Sequence, residues 1–311
     1  MAQILAFNCP MRHAMLAFVL VPVLALSSCS GGTSTGLFDR RTPRERYLAS
    51  LQAAGLGEAA LVRDWVAAGE AALREPADAR LPLNSEIRQG RAEPRAWGYR
   101  LPLQRGRRLR VELSVSGSEP AIVFIELFDA ADLSKPIVTS LREDARLEQE
   151  IARDGTYVLR IQPELLRGDA LRIVQRTTAS LTFPVSGRTS SAVKSFFLDP
   201  RDNNRRDHHG IDIFAPRNTA VVAAAGGLVT HVGTSPLGGN VVWIWDASRR
   251  QSHYYAHLET QAVATGTLVD AGAVVGYVGN TGNARTTPPH LHFGIYGRGE
   301  GPIDPFPFVR E

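Results

Sequence analysis

Histidines are unevenly distributed along this chain. Of its eight histidines, seven lie between positions 208 and 292. Most of them fall in three short segments: residues 208–212 read His-His-Gly-Ile-Asp, residues 254–258 read Tyr-Tyr-Ala-His-Leu, and residues 290–293 read His-Leu-His-Phe. Imidazole and carboxylate groups are the side chains that hold catalytic zinc where no thiolate is present. The clustering therefore predicts a metal site, and the fold must bring these segments together.

The cysteines exclude another kind of metal site. Cys9 and Cys29 are the only two in the sequence, and both precede position 30. The remainder of the chain can form neither an intramolecular disulfide nor a thiolate zinc cluster. A metal in the histidine-rich segment must therefore be held by histidine and carboxylate.

The charge balance argues against nucleic acid as a partner. The chain has 35 Lys and Arg against 31 Asp and Glu, a net charge of +4. A nucleic-acid-binding domain normally shows a clustered excess of basic residues, so we expect no nucleic-acid partner. With 311 residues, the chain exceeds the about 100–150 that are typical of one domain. We expect a targeting segment followed by two compact units.

The N-terminus has the pattern of a secretory signal. Arg12 precedes residues 14–26, a run of thirteen residues without charge, and residues 26–29 read Leu-Ser-Ser-Cys. The run is shorter than the about 20 apolar residues that a membrane span needs. Its end resembles the bacterial lipobox, which predicts a lipoprotein signal peptide at 1–28 and a lipid on Cys29. The alternative is a plain signal peptide that leaves Cys29 as an unused thiol.

The residues after Cys29 bear on location. Ser30 follows the cysteine, which resembles the pattern of lipoproteins sorted to the outer membrane. Gly, Ser and Thr then dominate up to residue 36, so we predict a flexible tether at 29–42. The expected location is the bacterial cell envelope, with the protein anchored to the membrane through Cys29 and facing the periplasm from the outer membrane.

A helical segment is predicted at 43–80. Thr42, Pro43 and Glu45 form the sequence signature of a helix start, because the Thr and Glu side chains can each satisfy a free backbone donor. Apolar residues then recur at helical spacing to about residue 73, and Gly55 is placed to end the first of two helices.

From about Trp97 the apolar period becomes alternating. One face of a predicted strand carries Leu109, Val111, Leu113 and Val115. Further strands are predicted near residues 121–128, 137–141, 147–151, 155–161 and 170–175. Short strands at this spacing are typical of a small β-sandwich, here placed at 90–178. Its role stays open between a spacer, which we favour, and a sugar-binding module.

The last predicted unit covers residues 181–309. Val, Ile and Trp occur there in short runs separated by Gly, as at residues 227–233 and 240–246. No segment has the apolar period of a ten-residue helix, so the unit is predicted to be β. The predicted fold class of the whole chain is mainly β.

The spacing of the polar residues favours hydrolytic chemistry. Residues two or four apart in a strand share a face, which pairs His208 with Asp212 and His290 with His292. Two histidines and one carboxylate with an open fourth position are typical of catalytic zinc. The four candidates exceed the three positions, so one of them remains for acid–base work together with His257. Zinc lowers the pKa of bound water to about 7, which makes peptide hydrolysis a complete use of these groups.

The order of the motifs resembles the lysostaphin/LytM-type zinc endopeptidases, which cut peptidoglycan cross-bridges. The resemblance covers residues 181–309 and includes a Gly-x-Thr-Gly segment at 279–282. It implies one zinc ion held by His208, Asp212 and His292, with His257 and His290 as the catalytic histidines. It also implies a two-layer, mostly antiparallel β fold with a long groove for an extended peptide.

The remaining histidines and two segments depart from the family pattern. His209 fills a variable position, and His231 and His253 match no family site. Residues 283–289 lack the Gly that usually precedes His-x-His, and residues 195–207 form a polar, Arg-rich approach to the first ligand. These departures concern the groove walls and thus the substrate preference.

Three functions are compatible with this pattern. The first is an anchored zinc endopeptidase that hydrolyses peptide cross-links of peptidoglycan. The second is a non-enzymatic envelope lipoprotein of the same fold that activates cell-wall amidases, and the third is a secreted peptidase that acts on proteins. The complete ligand set favours the first. The bond that is cleaved and the oligomeric state stay open.

Overall fold

A computed structural model of the protein describes residues 40–88, 93–116, 121–140, 145–167 and 170–311. The predicted signal peptide, Cys29 with its predicted lipid, and most of the predicted tether lie outside the described residues. Within these ranges, no helix has the length and apolar character needed to cross a membrane.

The described chain is mainly β, as predicted. Its helices are α1 (Pro43–Ala53), α2 (Ala60–Arg74) and α3 (Phe306–Val309). The strands of its first part are β1 (Ala77–Asp78), β2 (Leu83–Arg88), β3 (Trp97–Leu103), β4 (Arg107–Ser116), β5 (Val123–Asp129), β6 (Val138–Thr139), β7 (Arg146–Glu150), β8 (Gly155–Pro163) and β9 (Ala170–Ala179). The strands of its second part are β10 (Val193–Ser195), β11 (Pro200–Arg201), β12 (Arg206–Asp207), β13 (Ile211–Phe214), β14 (Ala220–Val222), β15 (Gly227–Ser235), β16 (Gly239–Asp246), β17 (Gln251–Gln261), β18 (Leu268–Val269), β19 (Val274–Val278), β20 (His290–Gly297) and β21 (Gly301–Ile303).

The start of α1 has the predicted capping box. The Thr42 hydroxyl accepts from the Glu45 backbone at 3.2 Å, and the Glu45 carboxylate accepts from the Thr42 backbone at 2.6 Å. Two residues beyond the helix, Gly55 has a φ of +75°, which suits its predicted place at the helix end. Helix α2 is held to the neighbouring sheet by Trp65, whose indole donates to the Pro163 carbonyl at 2.8 Å.

Two sheets form the predicted sandwich. One has the strand order β1-β3-β8-β5-β6, and the other has the order β2-β9-β4-β7. Leu109 and Val111 of β4 are fully buried and share one apolar cluster with Leu159 and Ile161 of β8, in the opposite sheet. Because alternate residues of each strand enter this core, the alternating pattern in the sequence located β4 correctly.

The sandwich begins earlier than the sequence predicts. Strand β2 precedes the predicted start at residue 90, yet it pairs with β9 along its whole length. Helix α2 also ends at Arg74, before the predicted end of the helical segment at residue 80. Strand β2 reads Leu-Asn-Ser-Glu-Ile-Arg, so only Leu83 and Ile87 mark its inner face. Two apolar residues are too few for a recognisable alternation.

The second part contains a ten-stranded sheet with the order β10-β13-β20-β17-β16-β15-β18. Strands β14 and β19 join it through β17, and β21 lies on the edge of β20. The first half of β17 pairs with β20, whereas its last residues pair with β19. Residues of β14, β19 and the main strands belong to one apolar cluster, so the sheet encloses its core as two layers.

Alternation in the central strands separates the core from the polar face. Ile211 and Ile213 of β13 are fully buried in the apolar cluster, as are Leu291 and Phe293 of β20. Asp212 and His292 lie between them in sequence and therefore point to the opposite face.

The two β regions are in direct contact within the unit that spans Arg41–Glu311. The Arg249 guanidinium donates to both carboxylate oxygens of Glu150, each at 2.7 Å. Arg107 of the sandwich donates to the Arg310 carbonyl near the end of the chain.

Candidate metal centre and catalytic site

Three of the predicted site residues converge on one point. The Nε2 atom of His208 lies 2.9 Å from His292 Nδ1 and 3.0 Å from Asp212 Oδ1, and His292 Nδ1 lies 3.1 Å from the same Asp212 oxygen. Asp212 and His292 are cross-strand partners in β13 and β20. His208 precedes β13 and is not itself in a strand, so the assumed extended pairing of His208 with Asp212 is only partly correct.

A hydrogen bond to a backbone carbonyl indicates which ring nitrogen of His208 carries a proton. Nδ1 lies 2.7 Å from the carbonyl oxygen of Phe196, and because a carbonyl can only accept, Nδ1 carries the proton. In the neutral ring, Nε2 then presents a lone pair to a carboxylate oxygen and to a second imidazole. Either a proton on His292 Nδ1 or a metal ion among the three atoms would satisfy these lone pairs.

The three residues fit a single metal ion. Their ligand atoms lie within 4.8 Å of one another, and no other His, Cys, Asp or Glu group in the described residues meets this criterion. With metal–ligand distances of about 2.0–2.1 Å, tetrahedral zinc separates its ligands by about 3.3 Å, close to the spacing seen here. Burial lowers the pKa of His292 although Asp212 acts against the shift, which favours the neutral ring that binds metals.

His257 and His290 lie beside this centre, and each is held by a backbone carbonyl through Nδ1. The Nδ1 atom of His257 donates to the Thr281 carbonyl at 2.9 Å, and that of His290 donates to the Pro288 carbonyl at 2.9 Å. The two ring centroids are 5.0 Å apart, and the His257 ring is 5.9 Å from that of His292. In a neutral ring with this orientation, Nε2 is the nitrogen that can accept a proton.

The backbone of His257 is unusual. It has a φ of +62°, and it lies where β17 changes its partner from β20 to β19. A left-handed conformation is uncommon at residues other than glycine, and such backbone strain recurs at functional sites. Burial, followed by the charges of His292 and His290, lowers the pKa of His257 to about 4, so this ring is neutral near pH 7.

A cleft of about 600 Å³ opens over the centre. Its lining includes residues of the hairpin β11–β12, among them Arg201, and the rings of Trp243, Tyr254 and Tyr296. The ring centroids of Trp243 and Tyr254 are 4.4 Å apart. His209 also lines the cleft but is not part of the three-ligand cluster.

The other two histidines lie apart from the cluster. His231 is exposed on β15. His253 is fully buried, and its Nε2 lies 2.9 Å from the Gln251 amide nitrogen, which donates to it. Burial lowers the pKa of His253 to about 4, so it is a neutral core residue.

One contact at the centre is absent from the sequence prediction. The Arg201 Nη2 atom donates to Asp212 Oδ2 at 2.8 Å. The predicted Arg-rich segment contains Arg201, but it has three arginines between residues 195 and 207, and no local signal singles one of them out.

Residues 206–305 match the sequence profile of Peptidase family M23. A segment of 139 residues is 37% identical to the L-Ala–D-Glu endopeptidase of Bacillus subtilis (strain 168) and covers 41% of this chain and 42% of that protein. A segment of 198 residues is 31% identical to the uncharacterized lipoprotein YgeR of Escherichia coli (strain K12), covering 57% of this chain and 76% of that protein. The chain thus spans less than half of the Bacillus relative.

Among solved structures, the catalytic domain of lysostaphin from Staphylococcus simulans is 31% identical, with a TM-score of 0.34, over 37% of this chain and 89% of that chain. The M23 profile includes all five predicted site residues, and YgeR is matched over 76% of its length. The chain belongs to Peptidase family M23.

Proposed function

We propose that this protein is a zinc-dependent endopeptidase that hydrolyses peptide cross-links of bacterial peptidoglycan. The observation that carries the proposal is the meeting of three ligand atoms, from His208, Asp212 and His292, beside two histidines that donate through Nδ1 to backbone carbonyls. Membership of a peptidase family supports hydrolysis of a peptide bond.

The residues divide the chemistry between them. His208, Asp212 and His292 would hold the ion, and zinc supplies a Lewis acid that activates water and polarises a carbonyl. His257 and His290 each offer an Nε2 lone pair when neutral, so one of these two rings would accept a proton from the attacking water. The imidazolium then donates that proton to the departing amine.

The substrate class is supported by the relatives. One of them is named as an L-Ala–D-Glu endopeptidase, and lysostaphin is described as an antimicrobial peptidase. A bond between an L- and a D-amino acid is unlike those of ordinary proteins. A cleft of about 600 Å³ that is lined by both charged and aromatic side chains has room for a peptide.

Anchoring forms part of the proposal. The lipobox at residues 26–29 supports a lipid on Cys29, and the relative YgeR is named as a lipoprotein. We place the protein in the bacterial envelope, on the outer membrane and facing the periplasm. Such an anchor would hold the enzyme beside the peptidoglycan.

The test combines metal analysis with product analysis. The purified full-length protein should contain about one zinc per chain and release cross-link peptides from sacculi, as identified by mass spectrometry. The variant His257→Gln should keep the zinc and release products about 10²- to 10⁴-fold more slowly. Wild-type protein without affinity for zinc would contradict the proposal and favour an amidase activator, whereas cleavage of casein but not of muropeptides would indicate a protein-directed peptidase.

A further inference from the structure

The hairpin β11–β12 places an arginine at the centre. Arg201 pairs with Arg206 across the hairpin, and Pro200 pairs with Asp207. Two backbone hydrogen bonds connect the base of the hairpin to His208. The Leu198 amide donates to the His208 carbonyl at 2.9 Å, and the His208 amide donates to the Asp199 carbonyl at 3.0 Å. The position of Arg201 is therefore coupled to that of the first ligand.

One nitrogen of Arg201 makes all of its side-chain hydrogen bonds to the described residues. Nη2 donates to Asp212 Oδ2 at 2.8 Å and also to the Ser195 hydroxyl. Nε and Nη1 have no partner in the described part of the chain. The side chain lines the cleft and is 27% exposed. A guanidinium that is fixed at one corner and free at the others is preorganised for an oxygen ligand.

Arg201 differs from the other arginine that borders the cleft because its own pairing partner, Asp212, belongs to the candidate metal centre. Arg206 is paired with Asp202 on the same hairpin. The Asp199 carboxylate accepts from the Phe196 amide at 2.7 Å and from the Ser195 hydroxyl. Asp207 also borders the cleft but is exposed, so solvent screens its charge.

We propose that Arg201 recognises a carboxylate of the substrate close to the scissile bond; this inference rests on the proposed function. Asp212 offers Oδ1 to the metal centre and Oδ2 to Arg201. The free nitrogens of Arg201 therefore lie within about 7 Å of Asp212 Oδ1, which is about two residues of extended peptide. The preferred substrates carry a free carboxylate within two residues of the cleaved bond.

The test compares two peptides. One is a synthetic cross-linked stem peptide with free carboxylates, and the other is the same peptide with carboxamides. Because charge-assisted hydrogen bonds to Arg201 need a carboxylate, the zinc-loaded full-length protein should cleave the carboxylate peptide with a kcat/KM about 10- to 100-fold higher than that for the carboxamide peptide. Most of the difference should lie in KM. Equal rates for the two peptides would overturn the inference and leave the proposed function intact. Failure to cleave either peptide or any muropeptide would overturn both.

Variants assign the preference to Arg201. Arg201→Gln should abolish the acid preference, and Arg201→Lys should restore part of it. Arg206→Gln, a change on the same hairpin, should leave it unchanged. Zinc content is measured for every variant because Arg201 also contacts Asp212. If zinc-loaded Arg201→Gln still prefers the carboxylate peptide, the inference is contradicted. If that variant loses its zinc, the inference is decided by the comparison of the two peptides with the wild-type protein.

Discussion

Asp212 and His292 are direct cross-strand partners, and their facing side-chain atoms, Oδ1 and Nδ1, are 3.1 Å apart. Their strand neighbours Ile213 and Leu291 are fully buried on the other face. A slip of one residue would move a ligand into the core and an apolar residue into the cleft. Burial of the apolar face therefore maintains the geometry of the candidate metal centre.

Replacement of Asp212 with Ala should abolish zinc binding. The remaining pair, His208 and His292, lacks the carboxylate that supplies the negative charge, and two ligands are fewer than a catalytic zinc site uses. Zinc content of the purified variant, measured by mass spectrometry, should fall from about one per chain to near zero. His231→Ala, at an exposed position of β15, should keep its zinc. Stoichiometric zinc in Asp212→Ala would refute the assignment.

Gly210→Ala should disturb His292 without removing a ligand. A Cβ atom at this position would lie 2.5 Å from the Phe293 carbonyl oxygen and 2.7 Å from the His292 ring. The Phe293 backbone cannot move away without disturbing its strand, so His292 would shift. We therefore expect zinc affinity to fall at least about tenfold, in the range seen when the groups that position a ligand are removed. Competition with a chelator measures this. Gly155→Ala is the control, since its nearest contact would be an ordinary 3.6 Å.

Replacement of His257 or His290 with Gln should separate catalysis from metal binding. Neither ring belongs to the three-ligand cluster, so both variants should retain zinc. Loss of a general base or acid typically lowers kcat by about 10²- to 10⁴-fold. Initial rates of muropeptide cleavage, measured at matched zinc content, test this. Near-wild-type rates in both variants would rule out the proposed roles.

His253 should make stability depend on pH. Its folded pKa is about 4, whereas an unfolded histidine titrates near about 6.5. Between these two pKa values, His253 is protonated in the unfolded chain but not in the folded protein. The free energy of unfolding therefore falls as the pH drops from about 6.5 to about 4. The contribution is at most about 3 kcal/mol, and it is fully present above pH 6.5.

Urea unfolding of the metal-free protein at pH 7 and pH 4.5 measures this effect without interference from zinc release. His253→Gln keeps a polar partner for Gln251 but does not titrate, so its loss of stability at pH 4.5 should be smaller than that of the wild type. Equal losses in the two proteins would show that His253 does not contribute.

Arg249 should stabilise the contact between the two β regions. It donates to Glu150 and, at 2.7 Å, to Asp246, whose side chain is only 3% exposed. Arg249→Ala would leave these carboxylates without their cation, so we expect a loss of about 1–3 kcal/mol in the free energy of unfolding. Arg176→Ala, which breaks an exposed pair with Glu112, should cost less than about 1 kcal/mol. Chemical denaturation compares them, and equal losses would contradict this account.

Local patterns predicted much of the architecture. The capping box at Thr42 and the alternation in β4 are confirmed because each depends on neighbours within one helix or strand. Strand β2 was missed because pairing with β9, rather than its own apolar content, makes it a strand. The boundary at residue 90 was misplaced for this reason.

The sequence alone determined the family and the candidate residues, because the order His208, Asp212, His257, His290, His292 is itself the motif. Their roles stay predictions, whereas their convergence is a structural result. Only the tertiary structure decided which ring nitrogens face backbone carbonyls, that His257 has a left-handed backbone, and that Arg201 contacts Asp212. These features depend on carbonyls and strands that are distant in the chain, and the spacing of side chains in the sequence does not indicate such partners.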